Sequence, residues 1–422
     1  MKTKKSTTLT IPIRFAIGIS LRSTLTTLTT LTLLSLSSCA PSWRSDLSEE
    51  SIARIEQNFE KAGENAGELQ LALDKAPAEQ KRAVAYLLEW MPDTDLTTLS
   101  AEFILENINW AYKARENFSW CRELPEEVFF NEVLPYANLM EERDLWRPEF
   151  YTRFEPYVRE CASIREAIDS ISLNIRDELL VDYNTKRSRV DISPFQAINE
   201  QMATCTGLSF LLTAAFRSVG IPARFAGTAM WTNMRGNHSW VEVWVEGEWY
   251  FIEYYPDGLN KSWFVADAGR ADPENPLHWI YAVTYRPGDC YFPMSWSRHD
   301  SLVHAYNVTD RYIRIYQQQL LENPPAGDET LVKLLLLREG SDGTLSNDRI
   351  HARIVAESNG EQADFGFSPS PTDDLNKFLI LRLKKSQSYT LTAFDADGQP
   401  LKTWSITTDD RGEMEVKLAM RQ

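Results

Sequence analysis

Cysteine is scarce in this 422-residue chain, with five residues at positions 39, 121, 161, 205 and 290 and no Cys-x-x-Cys pair. That spacing argues against a zinc or dithiol redox motif. Histidine is as rare, and His278, His299, His304 and His351 have no Cys-x-x-Cys pair to join in a metal-ligand motif, so they read as surface or loop residues. No EF-hand loop is visible among the acids, and no internal repeat marks a solenoid or propeller. Basic residues are in deficit: 44 Lys and Arg face 60 Asp and Glu, for a formal net charge of -16. An excess of that sign argues against a nucleic-acid partner.

Acids are missing from residues 1 to 38, which carry Lys2, Lys4, Lys5, Arg14 and Arg22. An apolar, Thr-rich stretch then runs to Leu36 and ends in Ser37-Ser38-Cys39. The combination of a basic start, a run too polar and short for a transmembrane span, and a small-residue cleavage site resembles a bacterial lipoprotein signal. The resemblance implies acylation of Cys39 and a chain that is exported but tethered to a membrane of the cell envelope.

The length suggests two to four domains. Residues 39 to 190 are expected to be mostly helical. Ile52, Ile55, Phe59 and Ala62 share one face, and Ala83, Tyr86, Leu87 and Trp90 share another that stops at Met91-Pro92. Leu96, Leu99, Phe103 and Ile108 continue the pattern, and Ile168, Ile171 and Ile175 mark a helix from Ile164 to about Leu179. Between them, Trp120 to Tyr157 is dense in aromatics and prolines and reads as irregular structure packed on the next domain. Beyond a Pro-Gly break near residue 325, six alternating segments, with Asp397-Gly398 as a hairpin turn, suggest a small β-sandwich over 326 to 422. The sandwich holds only His351 and no cysteine, so no chemistry is assigned to it.

The chemistry-bearing stretch lies in a domain placed at 191 to 322. Cys205 opens an apolar run in which Leu208, Leu211, Leu212, Ala215 and Phe216 recur at helical spacing until Gly220 and Pro222. A helix N-terminus favours thiolate over thiol. His238 leads the alternating run "HSWVEVWVEG", and "EWYFIEYY" resumes after Glu246-Gly247, so the two read as a hairpin that brings His238 beside Glu253. The aromatics that follow Tyr255 would line a substrate groove or, more simply, pack the sheet. With Cys39 and Cys205 set aside, Cys121, Cys161 and Cys290 are an odd set and read as buried free thiols.

Taken together, Cys205 opening a helix that ends in "RSVGIPAR", the run "GNHSWVEVWVEGEW" and an acid four residues after Trp249 resemble the transglutaminase-like superfamily. The resemblance implies an α+β chain: a helical N-terminal region, a papain-like core of a helix on an antiparallel sheet, and the C-terminal sandwich. It implies Cys205 as nucleophile and His238 as general base and acid. The third position usually holds aspartate and here holds Glu253, with Asp257 as the alternative. The implied chemistry is a thioacyl intermediate resolved by water or by an amine, in a cysteine peptidase or acyltransferase acting on peptide, protein or cell-wall peptide without a cofactor. The rival expectation is a catalytically inactive binding protein capturing a glycan or peptide. Oligomeric state is left open.

Overall fold

The structure is a computed structural model that describes residues 43–44, 47–294, 301–322 and 326–421. The leader, Cys39 and His299 therefore lie outside the described residues. Among those residues no helix is long and apolar enough to cross a membrane.

The chain is α+β, with its helices first. Helices α1 (Glu49–Ala62), α2 (Ala66–Lys75), α3 (Lys81–Trp90) and α4 (Ala101–Asn117) pack around Ile55, Leu73, Leu87, Ile104 and Ile108. Ser48 and Ser100 cap α1 and α4 by accepting from the amides of Ser51 and Phe103. The segment expected to be irregular contains a π-turn at Phe129–Val133 and a twelve-residue helix, α5 (Arg147–Val158). Pro148 sits in its first turn and Pro156 near its end, so neither proline breaks it. Helix α6 (Ile164–Leu179) turns its isoleucine stripe inward behind a Ser163 cap.

Two arginines fasten this helical region to the core. Arg147 donates to the carbonyls of Val133, Leu134, Pro135 and Arg217, and Arg217 donates to those of Glu132, Pro135, Ala137 and Ala223. Irregular backbone buried in the interior must find partners for its polar groups, and the guanidinium groups supply them. Burial presses both arginines below their ordinary range, Arg217 to about 10.

The core is helix α7 (Cys205–Ser218) laid on a six-stranded antiparallel sheet of order β3-β2-β1-β4-β6-β5. These strands are β1 (Ala223–Thr228), β2 (His238–Val245), β3 (Glu248–Ile252), β4 (Ile280–Val283), β5 (Cys290–Tyr291) and β6 (His304–Asn307). The β2–β3 turn is Glu246-Gly247, both at positive φ, as a two-residue hairpin of matching twist requires. Two readings need correction here. His304 is a half-buried strand residue, not a loop one, and of the three spare thiols only Cys121 is buried, Cys161 and Cys290 being half-exposed.

After helix α8 (Thr309–Glu322), eight strands follow among the described residues, where six were expected. Strand β7 (Glu329–Glu339) is flanked by β14 (Glu413–Met420) on one side and by β8 (Leu345–Arg349) and β11 (Leu379–Lys384) on the other. The facing sheet runs β10-β9-β12-β13, from β9 (Arg353–Ser358), β10 (Glu361–Phe367), β12 (Ser388–Phe394) and β13 (Pro400–Thr407). Val332, Leu334 and Leu336 point into the sandwich with Ile354, Leu381 and Leu391. The alternate residues Lys333, Leu335 and Leu337 are buried too, because that outer face lies on the core. There Lys333 pairs with Asp267 at 3.2 Å and Glu413 at 2.8 Å, and Arg270 pairs with Glu413.

Candidate active site

Helix α7 presents Cys205 as its first residue. Thr204 precedes it in extended conformation without a side-chain cap, so the dipole of the helix start is directed at the thiol. The helix is almost wholly buried and so holds the thiol rigidly. At Gly207 a Cβ would come within 2.5 Å of Ile192 and 2.9 Å of Ala203, so only glycine lets the first turn seat this closely.

His238 begins β2 opposite Thr228 and is 2% exposed. Its ring is walled by Trp263 at 4.8 Å and Phe264 at 5.2 Å between centroids. Nε2 lies 2.7 Å from Glu253 Oε1, and the other oxygen of Glu253 accepts from Ser262. Glu253 sits one residue beyond β3 rather than on it. Continuing the register that pairs Val241 with Ile252 sets Glu253 opposite Trp240, diagonal to His238 on the same face. Asp257 lines the cavity near Cys205; burial, then the neighbouring charge of Glu253, raises its carboxyl.

A carboxylate that local sequence does not announce completes the group. Asp374, on the segment joining β10 to β11, places Oδ2 3.3 Å from His238 Nδ1. Cys205, His238 and Asp374 bring one ligating atom each within 4.8 Å of one another. Arg349 fixes this segment by donating to the carbonyls of Asp373, Asp374 and Leu375, while Asn376 donates to Asn237 O at 3.0 Å. The run "SPSPTDD" at 368–374 carries only turn chemistry, so nothing in it pointed 136 residues back to His238.

Burial alone would lower the basicity of His238, but Asp374, Cys205 and Glu253 outweigh it and raise the imidazole well above its ordinary value. Asp374 is correspondingly held low, its burial offset by His238 and the Asn376 amide. Beneath the histidine lies a second charged cluster. Glu242, 1% exposed, accepts from Arg224 at 2.8 Å, from Tyr312 at 2.8 Å and from Arg311, and Tyr312 in turn accepts from Trp240. Cys205 opens on a cavity of about 320 Å³ bounded by Tyr183, Tyr254, Trp263 and Asp374, and on a second of about 260 Å³ bounded by Thr204, Arg187 and Leu375.

Solved structures that align with parts of this chain include a presumed cysteine protease from Cytophaga hutchinsonii (20% identity, 33% of this chain and 46% of that one, TM-score 0.26). Red sea bream transglutaminase aligns at 12% identity over 69% of this chain and 65% of its own, with a TM-score of 0.31. An arylamine N-acetyltransferase from Bacillus cereus, for which a Cys-His-Glu catalytic triad is described, aligns at 13% identity over 61% and 93%, with a TM-score of 0.19. Scores this low carry no argument about activity, and the chain spans less than two thirds of the first two. Among curated proteins there is no match. Residues 153–254, which contain Cys205, His238 and Glu253, match the family model of the Transglutaminase-like superfamily, and the α+β chain carries a transglutaminase-like core.

Proposed function

We propose that the chain is a cysteine-dependent enzyme that opens amide bonds through a thioacyl intermediate, as a peptidase or acyltransferase. The observation that carries this reading is the Cys205-His238-Glu253 constellation, with the thiol at a helix start, the imidazole beside it, and Nε2 held by a carboxylate at 2.7 Å. Glu253 accepts a hydrogen bond from Nε2–H, which leaves Nδ1 as the ring nitrogen that exchanges a proton with the thiol. The thiolate attacks the carbonyl carbon, and the amides of the first turn of α7 receive the charge that develops on oxygen. His238 gives its proton to the departing amine, which leaves as the thioester forms. Water or a second amine then attacks the thioester, and the thiol is released.

The test is mass analysis of products after incubation with a peptide mixture and a primary amine. Cleavage or amine incorporation is expected, and neither should survive Cys205→Ala. His238→Ala should slow turnover and thiol alkylation by about 10²- to 10⁴-fold. An equally reactive thiol in that variant would sink the reading. The substrate class is extracytoplasmic peptide, protein or cell-wall peptide. This rests on the leader sequence, and the lipid tether at Cys39 is tested by palmitate labelling that Cys39→Ala must abolish.

A further inference from the structure

We propose that Cys205, His238 and Asp374 form a binding site for a zinc-type divalent cation, shared between the core and the sandwich. Three observations converge on it. The first is chemical. A thiolate, a neutral imidazole and a carboxylate form the mixed soft and borderline donor set that selects zinc over calcium or magnesium, and their charges sum to the -2 that a divalent cation neutralises. In a buried site that balance decides whether the charges are tolerated.

The second is geometric. Nδ1 of His238 is buried and makes no aligned hydrogen bond, although Asp374 Oδ2 lies 3.3 Å away. Once the imidazole gives up its Nδ1 proton, two lone pairs at that separation suit a shared cation. Zinc bonds of about 2.0 to 2.1 Å to nitrogen and oxygen give a tetrahedral edge of about 3.3 Å. Cys205 Sγ lies within 4.8 Å of a ring nitrogen of His238 and a carboxylate oxygen of Asp374, so an approach of about 1.3 Å or less reaches the sulfur edge of about 3.5 Å.

The third is the support around the ligands. Glu253 on Nε2 fixes the imidazole in the tautomer that presents Nδ1 as a ligand, the arrangement by which carboxylates orient metal-bound histidines. Arg349 holds the backbone on both sides of Asp374, and the Asn376 amide donates to Asp374 Oδ1 at 2.8 Å, leaving Oδ2 for the cation. Because the site takes the sulfur and the imidazole nitrogen that the proposed reaction needs, cation and substrate exclude each other, and the sandwich supplies the ligand that makes the block tight. Binding forms bonds from Sγ, Nδ1 and Oδ2 to the cation and releases the protons those atoms carried to solvent.

The experiment is a cobalt(II) titration of the full chain after chelator treatment, followed by competition with zinc. A thiolate-to-cobalt charge-transfer band with the visible absorption of a tetrahedral centre is expected, and zinc should abolish both. Cys205→Ser should remove the charge-transfer band. Asp374→Asn, which is isosteric and retains an oxygen for the Asn376 amide, should weaken binding at least about tenfold, and Glu253→Gln about 10- to 100-fold. In parallel, zinc should protect Cys205 from alkylation, a chelator should restore the rate, and Asp374→Asn should need at least tenfold more zinc for the same protection. No charge-transfer band, or unchanged affinity in a folded Asp374→Asn, overturns the site. An inert thiol in chelator would count against the enzymatic reading alone, because the cobalt spectrum judges the metal site independently.

Discussion

Two carboxylates reach the same imidazole, and they come from opposite kinds of structure. Glu253 arrives 15 residues after His238, at the end of a hairpin whose register and turn fix where it falls. Asp374 arrives from a different layer, on a loop that has no strand partner and is held by Arg349 and by Asn376 on Asn237 O. The first is placed by periodicity and the second by docking. Local order therefore carries the acid beside Nε2, while the interface between sandwich and core carries the acid beside Nδ1.

The comparison breaks most sharply at Glu242, on which the hairpin's placement depends. Glu242→Ala strips a buried cluster of its anion and leaves Arg224 and Arg311 facing each other, at a cost of about 3–5 kcal/mol in thermal or denaturant unfolding. Burial pushes the Glu242 carboxyl up, but Arg311 and Arg224 together bring it below its ordinary value. Its contribution is therefore complete above the unfolded glutamate pKa of about 4.3 and is lost as pH falls through the lower folded value. Glu242→Gln should accordingly flatten the acid limb of stability between those two values, and an unchanged limb would remove the pair from the ledger.

Arg349→Met addresses the docked side. It frees the carbonyls of Asp373, Asp374 and Leu375, an expected loss of about 1–3 kcal/mol. Hydrogen exchange should quicken across 370–377 while the β2–β3 hairpin keeps its protection. Equal loosening of both would mean that loop and hairpin open as one unit, and the contrast would fail.

The same division explains what was legible in the sequence. Cys205 at a helix start, the Glu246-Gly247 turn and the isoleucine stripe of α6 are local patterns, and local patterns were readable. Helix α5 was hidden because its prolines sit at tolerated positions and its polar anchor, Arg147, is satisfied by carbonyls distant in sequence. Asp374 was hidden for the same reason: what holds it beside His238 is Arg349 on its backbone and Asn376 on Asn237 O, contacts between segments distant in sequence. The sandwich was assigned no chemistry because it lacks cysteine and all histidines but one, and it nevertheless brings the Asp374 carboxylate to within 3.3 Å of His238 Nδ1.

The smallest expected effect sharpens the local half of the comparison. With Glu253 on Nε2, Glu253→Gln should slow Cys205 alkylation in chelator by at least about tenfold, because an amide cannot match the charge of the carboxylate and stabilises the wrong tautomer as readily as the right one. Asp257 lines the same cavity, where burial and the charge of Glu253 raise its carboxyl, but it is Glu253 whose oxygen lies 2.7 Å from Nε2. Asp257→Asn should therefore change the rate by less than about twofold. If the order were reversed, the histidine would be oriented from Asp257, and the diagonal pairing across β2 and β3 would be a packing contact without a part in the chemistry.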